Sequence, residues 1–102
     1  MGRVGIVHIV FLDLLRRSYT VTVGKTGEKE IDFVCEKRAE KLYVQVTYLL
    51  ATDETIEREF GAYAAIRDNF PKYVVSLDEF DRSRDGIKHR NIRDFLTQPE
   101  WN

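Results

Sequence analysis

The chain predicts an α/β domain in which a mixed sheet is flanked by helices, in the order helix, three strands, helix, strand, with a short strand and helix appended. Three observations predict it. An apolar run with helical spacing opens the chain, and three segments of strand character follow in close succession. A capped amphipathic segment then leads into a fourth strand. Three meandering strands followed by a crossover helix and a further strand imply a sheet of mixed direction, covered by helices.

The first element is read over 4–17 (VGIVHIVFLDLLRR). Local propensity is divided there: Val and Ile in the first half favour strands, whereas Phe11 to Arg17 is rich in good helix formers. Val7, Val10, Phe11, Leu14 and Leu15 follow helical spacing, which decides for a helix. Arg16 and Arg17 would then complement the partial negative charge at its C-terminus.

Residues 19–24 (YTVTVG) suit a strand, and Lys25-Thr26-Gly27-Glu28 reads as a turn. Residues 30–36 and 41–49 are two further strands, joined by a polar link of hairpin length, Lys37 to Glu40. Centring that turn between Arg38 and Ala39 sets Ile31 opposite Val46, Phe33 opposite Val44 and Cys35 opposite Leu42, an all-apolar core face. The other face pairs Asp32 with Gln45 and Glu30 with Thr47, and a one-residue slip would mix the two sets.

Thr52 or Asp53 caps a helix expected to run to about Asp68, with Ile56, Phe60, Tyr63 and Ile66 as its apolar stripe and acidic residues in its first turn. Glu54 and Arg58 have the spacing of a helix-surface ion pair. Phe70-Pro71 ends the segment, 72–77 is a fourth strand, Asp78 to Gly86 a polar loop and 87–89 a short fifth strand. Asn91 is placed to cap a last helix through Leu96, before Pro99.

A length of 102 residues fits one domain, 1–102, with one modest core. Hydrophobic residues at 43% and charged residues at 32% fit a globular chain rather than a disordered one. The net charge of -1 lacks the basic excess of a dedicated nucleic-acid binder. Cys35, the single cysteine, excludes an intrachain disulfide and a cysteine-based zinc site, and fits a reducing, cytoplasmic setting. The run Val4 to Leu15, interrupted by His8 and Asp13, is too short to span a bilayer, so no membrane partner is expected. Met1-Gly2-Arg3 reads as a vector remnant or a start within an eroded gene.

The segments VFLDLLRRSYTVTVGKTGEKEIDFVCEK, KLYVQVTYLLATDETIEREFGAY and DNFPKYVVSLDEF carry a resemblance over about Gly5 to Leu96. They resemble the C-terminal domain of unknown function that follows AAA-type ATPase domains in many prokaryotic proteins. That resemblance implies the restriction-endonuclease-like fold, the αβββαβ core of the PD-(D/E)XK superfamily. The ATPase half is not in this chain. Gly24-Lys25-Thr26 lacks the upstream glycine of a phosphate-binding loop and reads as part of a turn.

An active member of that superfamily would carry an acid on the first helix, an Asp on the second strand, and an acid-x-Lys on the third. These bind a hard cation and orient a water. By resemblance Asp32 stands at the strand Asp, Gln45 at the second acid and Thr47 at the Lys, while the helix position reads Val7-His8. An amide offers a carbonyl oxygen without charge, and Thr cannot replace an ammonium. The expectation is therefore a degenerate site: no catalytic residue, vestigial positions Asp32, Gln45 and Thr47, and no cofactor, with Asp32 as a weak metal candidate.

Without the resemblance, Asp32 and Glu30 are polar residues of an outward strand face, His8 a packed or partly exposed helix residue and Cys35 a small core hydrophobe. Lys88, His89 and Arg90, with Arg82, Arg84 and Arg93, read as a solvated charged surface ahead of a phosphate site. With two histidines so placed, no Ser-His-Asp or Cys-His arrangement is supported. The functional expectation is a non-catalytic nuclease-fold module that binds an ATPase domain or another protein, and nucleic acid only weakly. One alternative is a metal-dependent DNA nuclease using magnesium or manganese, with a lysine such as Lys41 migrated to the site. Another is a structural oligomerisation domain in which Tyr43 or Tyr48 joins an exposed patch.

Overall fold

The computed structural model describes residues 2–26, 29–99 and 101. Helix α1 (Gly2–Arg16) is followed by strands β1 (Thr20–Thr26), β2 (Lys29–Lys37) and β3 (Glu40–Val46), helix α2 (Asp53–Gly61), strands β4 (Lys72–Ser76) and β5 (Lys88–Asn91), and helix α3 (Ile92–Thr97). The five strands form one sheet in the order β1-β2-β3-β4-β5. The pairs β1–β2 and β2–β3 are antiparallel, and β3–β4 and β4–β5 are parallel. The mixed sheet flanked by helices is the expected architecture.

The sheet separates two cores. On one face α1 and α3 pack Ile6, Val10, Leu14 and Phe95 against Phe33, Cys35, Val44, Val46, Tyr73 and Val75. On the other, Phe60 of α2 and the following Ala62 and Tyr63 cover Ile31, Tyr43 and Val74. Covering both faces suits a sheet with parallel pairs. It also corrects the expectation that one face of the β2–β3 hairpin looks outward: Glu30 is exposed, but Gln45 and Thr47 are buried, Gln45 against Glu59 of α2.

The hairpin register is as expected where apolar pairs define it: Phe33 opposes Val44 and Cys35 opposes Leu42, around a turn at Arg38-Ala39. It departs at Ile31. The β1–β2 partners shift from Thr22–Val34 to Gly24–Ile31, so Asp32 and Phe33 together oppose Val23. This β-bulge adds one residue to β2 and turns Ile31 to the α2 face instead of setting it opposite Val46.

Gly24 makes the bulge possible, since a Cβ there would lie 2.5 Å from Val34 Cγ2 and 3.2 Å from Ile31 Cβ. Gly24, Lys25 and Thr26 therefore belong to β1, paired with Ile31, Glu30 and Lys29, rather than to a turn. The remainder of the expected turn, Gly27-Glu28, lies outside the described residues.

Helix α1 ends in a Schellman motif: Tyr19 N–H donates to Leu14 O at 3.1 Å and Ser18 N–H to Leu15 O at 2.9 Å. Ser18 holds the left-handed position with φ 72°. The arginines stand at the C-terminus of α1 as expected and also make specific pairs. Arg17 binds Asp13 and reaches across to the carbonyls of Phe95, Gln98 and Pro99, so it serves the end of α3. Arg16 also binds Asp13, at 2.6 Å. Helix α2 stops at Gly61 instead of about Asp68: glycine weakens a helix, and the next backbone bonds are tight turns, Ala64 N–H to Gly61 O and Ile66 N–H to Tyr63 O. Thr52 and Asn91 act as the expected caps, accepting from Thr55 and Arg93 backbone N–H groups.

Candidate functional site

The bulge brings the resemblance positions together. Displaced from the β2–β3 ladder, Asp32 presents its carboxylate to β3, and Oδ2 accepts the Val46 backbone N–H at 2.8 Å. In return the Gln45 side-chain Oε1 accepts the Asp32 N–H at 2.5 Å. Two side chains thus replace the backbone bonds that the bulge interrupts. The Gln45 Nε2 donates to Glu59 Oε1 of α2 at 3.4 Å, and a carboxylate on one side with an N–H on the other leaves one orientation of the amide.

Glu59 is the site residue that sequence reasoning missed. Its signal was present: Glu59 stands three residues after Ile56 and one before Phe60, on the apolar stripe of α2, and it is buried. Arg58 turns to Glu59, at 3.4 Å, where a pair with Glu54 was expected. Tyr63, from the same end of α2, donates its hydroxyl to Tyr73 O at 2.7 Å. Burial, together with the negative charge of Asp32 and Glu59, holds that hydroxyl well above its ordinary titration range. Thr47 is buried and extends the parallel ladder by donating its N–H to Val75 O.

The donor set does not fit a hard dication. Magnesium needs several oxygens converging on one point. Here the Gln45 oxygen is turned to the Asp32 N–H, and the Gln45 amino group faces Glu59. Among the described residues no group of three or more His, Cys, Asp or Glu side chains converges as a metal site would need. Position 8 does not join the cluster: α1 packs on the opposite face of the sheet from α2, and His8 is exposed. Lys41 is also remote. It stands four residues before Gln45 on β3, about 13 Å along the strand, with its ammonium over the Tyr43 and Phe70 rings. A groove of about 600 Å³ near Lys41 is lined by Tyr19, Lys37, Tyr73 and Trp101, at the end of β3 away from Gln45.

A second constellation forms at the β4–β5 junction. Ser76 Oγ lies 2.7 Å from His89 Nε2, both residues buried. The sequence suggested no serine–histidine pair, because the two become neighbours only through parallel β4–β5 pairing. Its chemistry is nevertheless fixed against nucleophilic catalysis. The Arg82 backbone N–H donates to His89 Nδ1 at 3.2 Å, so Nδ1 is the acceptor and Nε2 carries the ring proton. Nε2 then donates to Ser76 and cannot take its proton, as a general base must. Asp78 N–H also donates to Ser76 Oγ, and His89 N–H donates to Ser83 Oγ. The group ties down the loop between the two strands.

The other sequence candidates are dispersed or inert. Arg84 pairs with Glu57 and Asp85, Arg82 lies 4.0 Å from Asp78, Arg90 donates to the carbonyls of His89 and Trp101, and His89 is buried, so these groups are engaged separately within the fold. Cys35 is fully buried, and burial pushes its thiol up to about 12, which suits a packing residue. Tyr43 is buried and Tyr48 exposed, so the two share no surface patch. No described helix is long and apolar enough to cross a membrane.

Comparison with known proteins adds one relative. The chain is 38% identical over 92 residues to a Haemophilus influenzae protein described as "Uncharacterized protein". The match covers 89% of this chain and 22% of that protein, so the chain spans about a fifth of the relative's length. No family model matches the chain, and no solved structure matches it.

Proposed function

We propose that this chain is a non-catalytic module with the restriction-endonuclease-like, PD-(D/E)XK fold, of the kind that follows an AAA-type ATPase domain, and that it works by binding protein. Nucleic acid would be bound only weakly, in keeping with the net charge of -1. The observation that carries the reading is the Gln45 amide. It takes the place where the superfamily pattern needs a carboxylate, and spends both of its polar atoms on Asp32 and Glu59. The element order and the mixed sheet support the fold assignment. Cys35 as a lone buried thiol supports a cytoplasmic setting.

The test is digestion of supercoiled, linear and single-stranded DNA with magnesium or manganese. No cleavage is expected. Cleavage that disappears in Asp32→Ala would overturn the proposal. The second reading, a metal-dependent nuclease, is favoured by one observation: Glu59 brings a second carboxylate to the cluster. It requires the same assay to show cleavage, lost in both Asp32→Ala and Glu59→Gln.

A further inference from the structure

Among the described residues, the outer face of α1 is left open to solvent. Between Val4 and Leu15 the only polar side chains are His8 and Asp13, and Asp13 is buried. The inward stripe of Ile6, Val10 and Leu14 accounts for one side of the helix. The other side presents Val4, Ile9, Leu12 and Leu15 to solvent, with Val4 78% and Leu12 49% exposed. Ile9, Leu12 and Leu15 follow at three-residue steps, Val4 lies beyond them, and exposed His8 and Arg16 share that face, so the surface is mainly apolar with two polar side chains set in it. A surface helix normally places charged residues there, and a helix that is apolar all round is normally buried all round. Helix α2 shows the ordinary pattern in the same chain, with Asp53, Glu54, Glu57 and Arg58 exposed.

The size of the strip points to its occupant. A 15-residue helix offers a strip about 22 Å long and about 10 Å wide. That falls far short of the ~800 Å² per partner of a free-standing complex, which argues against a second copy of this chain held by α1 alone. A neighbour on the same polypeptide needs no such area, because the covalent link supplies an effective concentration in the millimolar range. The Haemophilus relative, in which the matched region is 22% of the length, has such a neighbour to offer.

We propose that the outer face of α1 is an intramolecular docking surface, covered in longer proteins of this kind by an apolar surface of the remaining polypeptide. The inference rests on the reading of this domain as a binding module and names the surface that module uses.

Side-chain footprinting with a carbene or hydroxyl-radical reagent tests it by comparing the 102-residue chain with the full-length Haemophilus relative. In this chain Val4, Ile9, Leu12 and Leu15 should label strongly at every protein concentration, and Leu12→Lys should leave the thermal midpoint unchanged. In the relative, the helix corresponding to α1 should be protected, and lysine at the position aligned with Leu12 should restore its labelling. Equal labelling of the two proteins would overturn the inference. So would protection in this chain that grows with concentration, which would assign the face to a second copy. Cleavage dependent on Asp32 would sink the functional reading without altering the footprint. A footprint elsewhere would sink the α1 surface and leave the module reading in place.

Discussion

The Arg17 guanidinium lies 4.3 Å from the centroid of the Trp101 ring while it bonds Asp13 Oδ2 at 2.8 Å and the carbonyls of Phe95 and Gln98 at 2.9 and 2.7 Å. One planar cation therefore joins the end of α1 to the end of α3 and fixes Trp101, whose indole N–H donates to Phe95 O. Arg17→Lys keeps the charge but loses both the fork and the stacking. It is expected to cost about 1–3 kcal/mol in urea unfolding. Arg17→Ala should cost about 3 kcal/mol, the lower end for breaking a buried pair, because Arg16 still accompanies Asp13. If the lysine variant unfolds at the wild-type urea concentration, the cap has no energetic role.

Gln45→Glu exchanges a donor to Glu59 for a third carboxylate beside Asp32 and Glu59. In chelator the variant should lose about 1–3 kcal/mol, the cost of an unmatched buried polar group. Manganese should restore part of the loss, while the wild-type midpoint does not move. Differential scanning fluorimetry with and without the cation reads both effects. Equal stability of the two proteins in chelator would show that the amide bridge contributes nothing.

His89 makes stability depend on pH near neutrality. Burial lowers its pKa below the ordinary 6.5, against the opposing pull of Asp78 and Asp81. Above 6.5 the ring is neutral in both folded and unfolded chains, so no stability is lost. As pH falls through 6.5, the unfolded chain takes up a proton that the folded chain refuses, and stability declines until the folded pKa is passed. Unfolding free energies between pH 8 and 5 should therefore fall for wild type, and less steeply for His89→Gln. Parallel slopes for the two would remove His89 as the cause.

Ser18 holds a left-handed conformation at the exposed end of α1, where glycine is the usual residue. Ser18→Gly should stabilise by about 0.5–1 kcal/mol, the strain of a side chain in that region less the added entropy of the unfolded glycine. Thermal unfolding by circular dichroism measures it, and a lowered midpoint would contradict the cap assignment.

Gly24→Ala has the opposite sign. The new Cβ would meet Val34 Cγ2 at 2.5 Å and the branched Ile31 Cβ at 3.2 Å, neither of which is the far end of a flexible chain. A loss of about 1–3 kcal/mol is expected in urea unfolding. A variant as stable as wild type would mean that the bulge relaxes freely.

Much of the fold was legible wherever apolar residues recur at a fixed period. Phe33 with Val44 and Cys35 with Leu42 identify the hairpin register because only one alignment sorts their faces. Thr52 and Asn91 were readable as caps because their side chains compete for local N–H groups. The bulge was not legible: Ile31, Phe33 and Cys35 are spaced as in an uninterrupted strand, yet the inserted residue sends Ile31 to the face opposite Phe33 and Cys35, and nothing in the apolar spacing marks that reversal. The site shared this weakness. Asp32 and Gln45 were expected as cross-strand ladder partners and instead meet through the Gln45 side chain, Glu59 reaches them only through the docking of α2, and His89 meets Ser76 only through parallel pairing.

The bulge also shapes the free rim of the sheet. β1 is an edge strand, rich in Thr and Val, with Val23 turned to solvent. Such a strand, if flat, invites another chain to extend its ladder and begin a fibre. The extra residue opposite Val23 increases the local twist, so successive N–H and C=O groups of β1 no longer lie along one straight line. A deformation that aims the Asp32 carboxylate inward thus also makes the outer rim a poor template for aggregation.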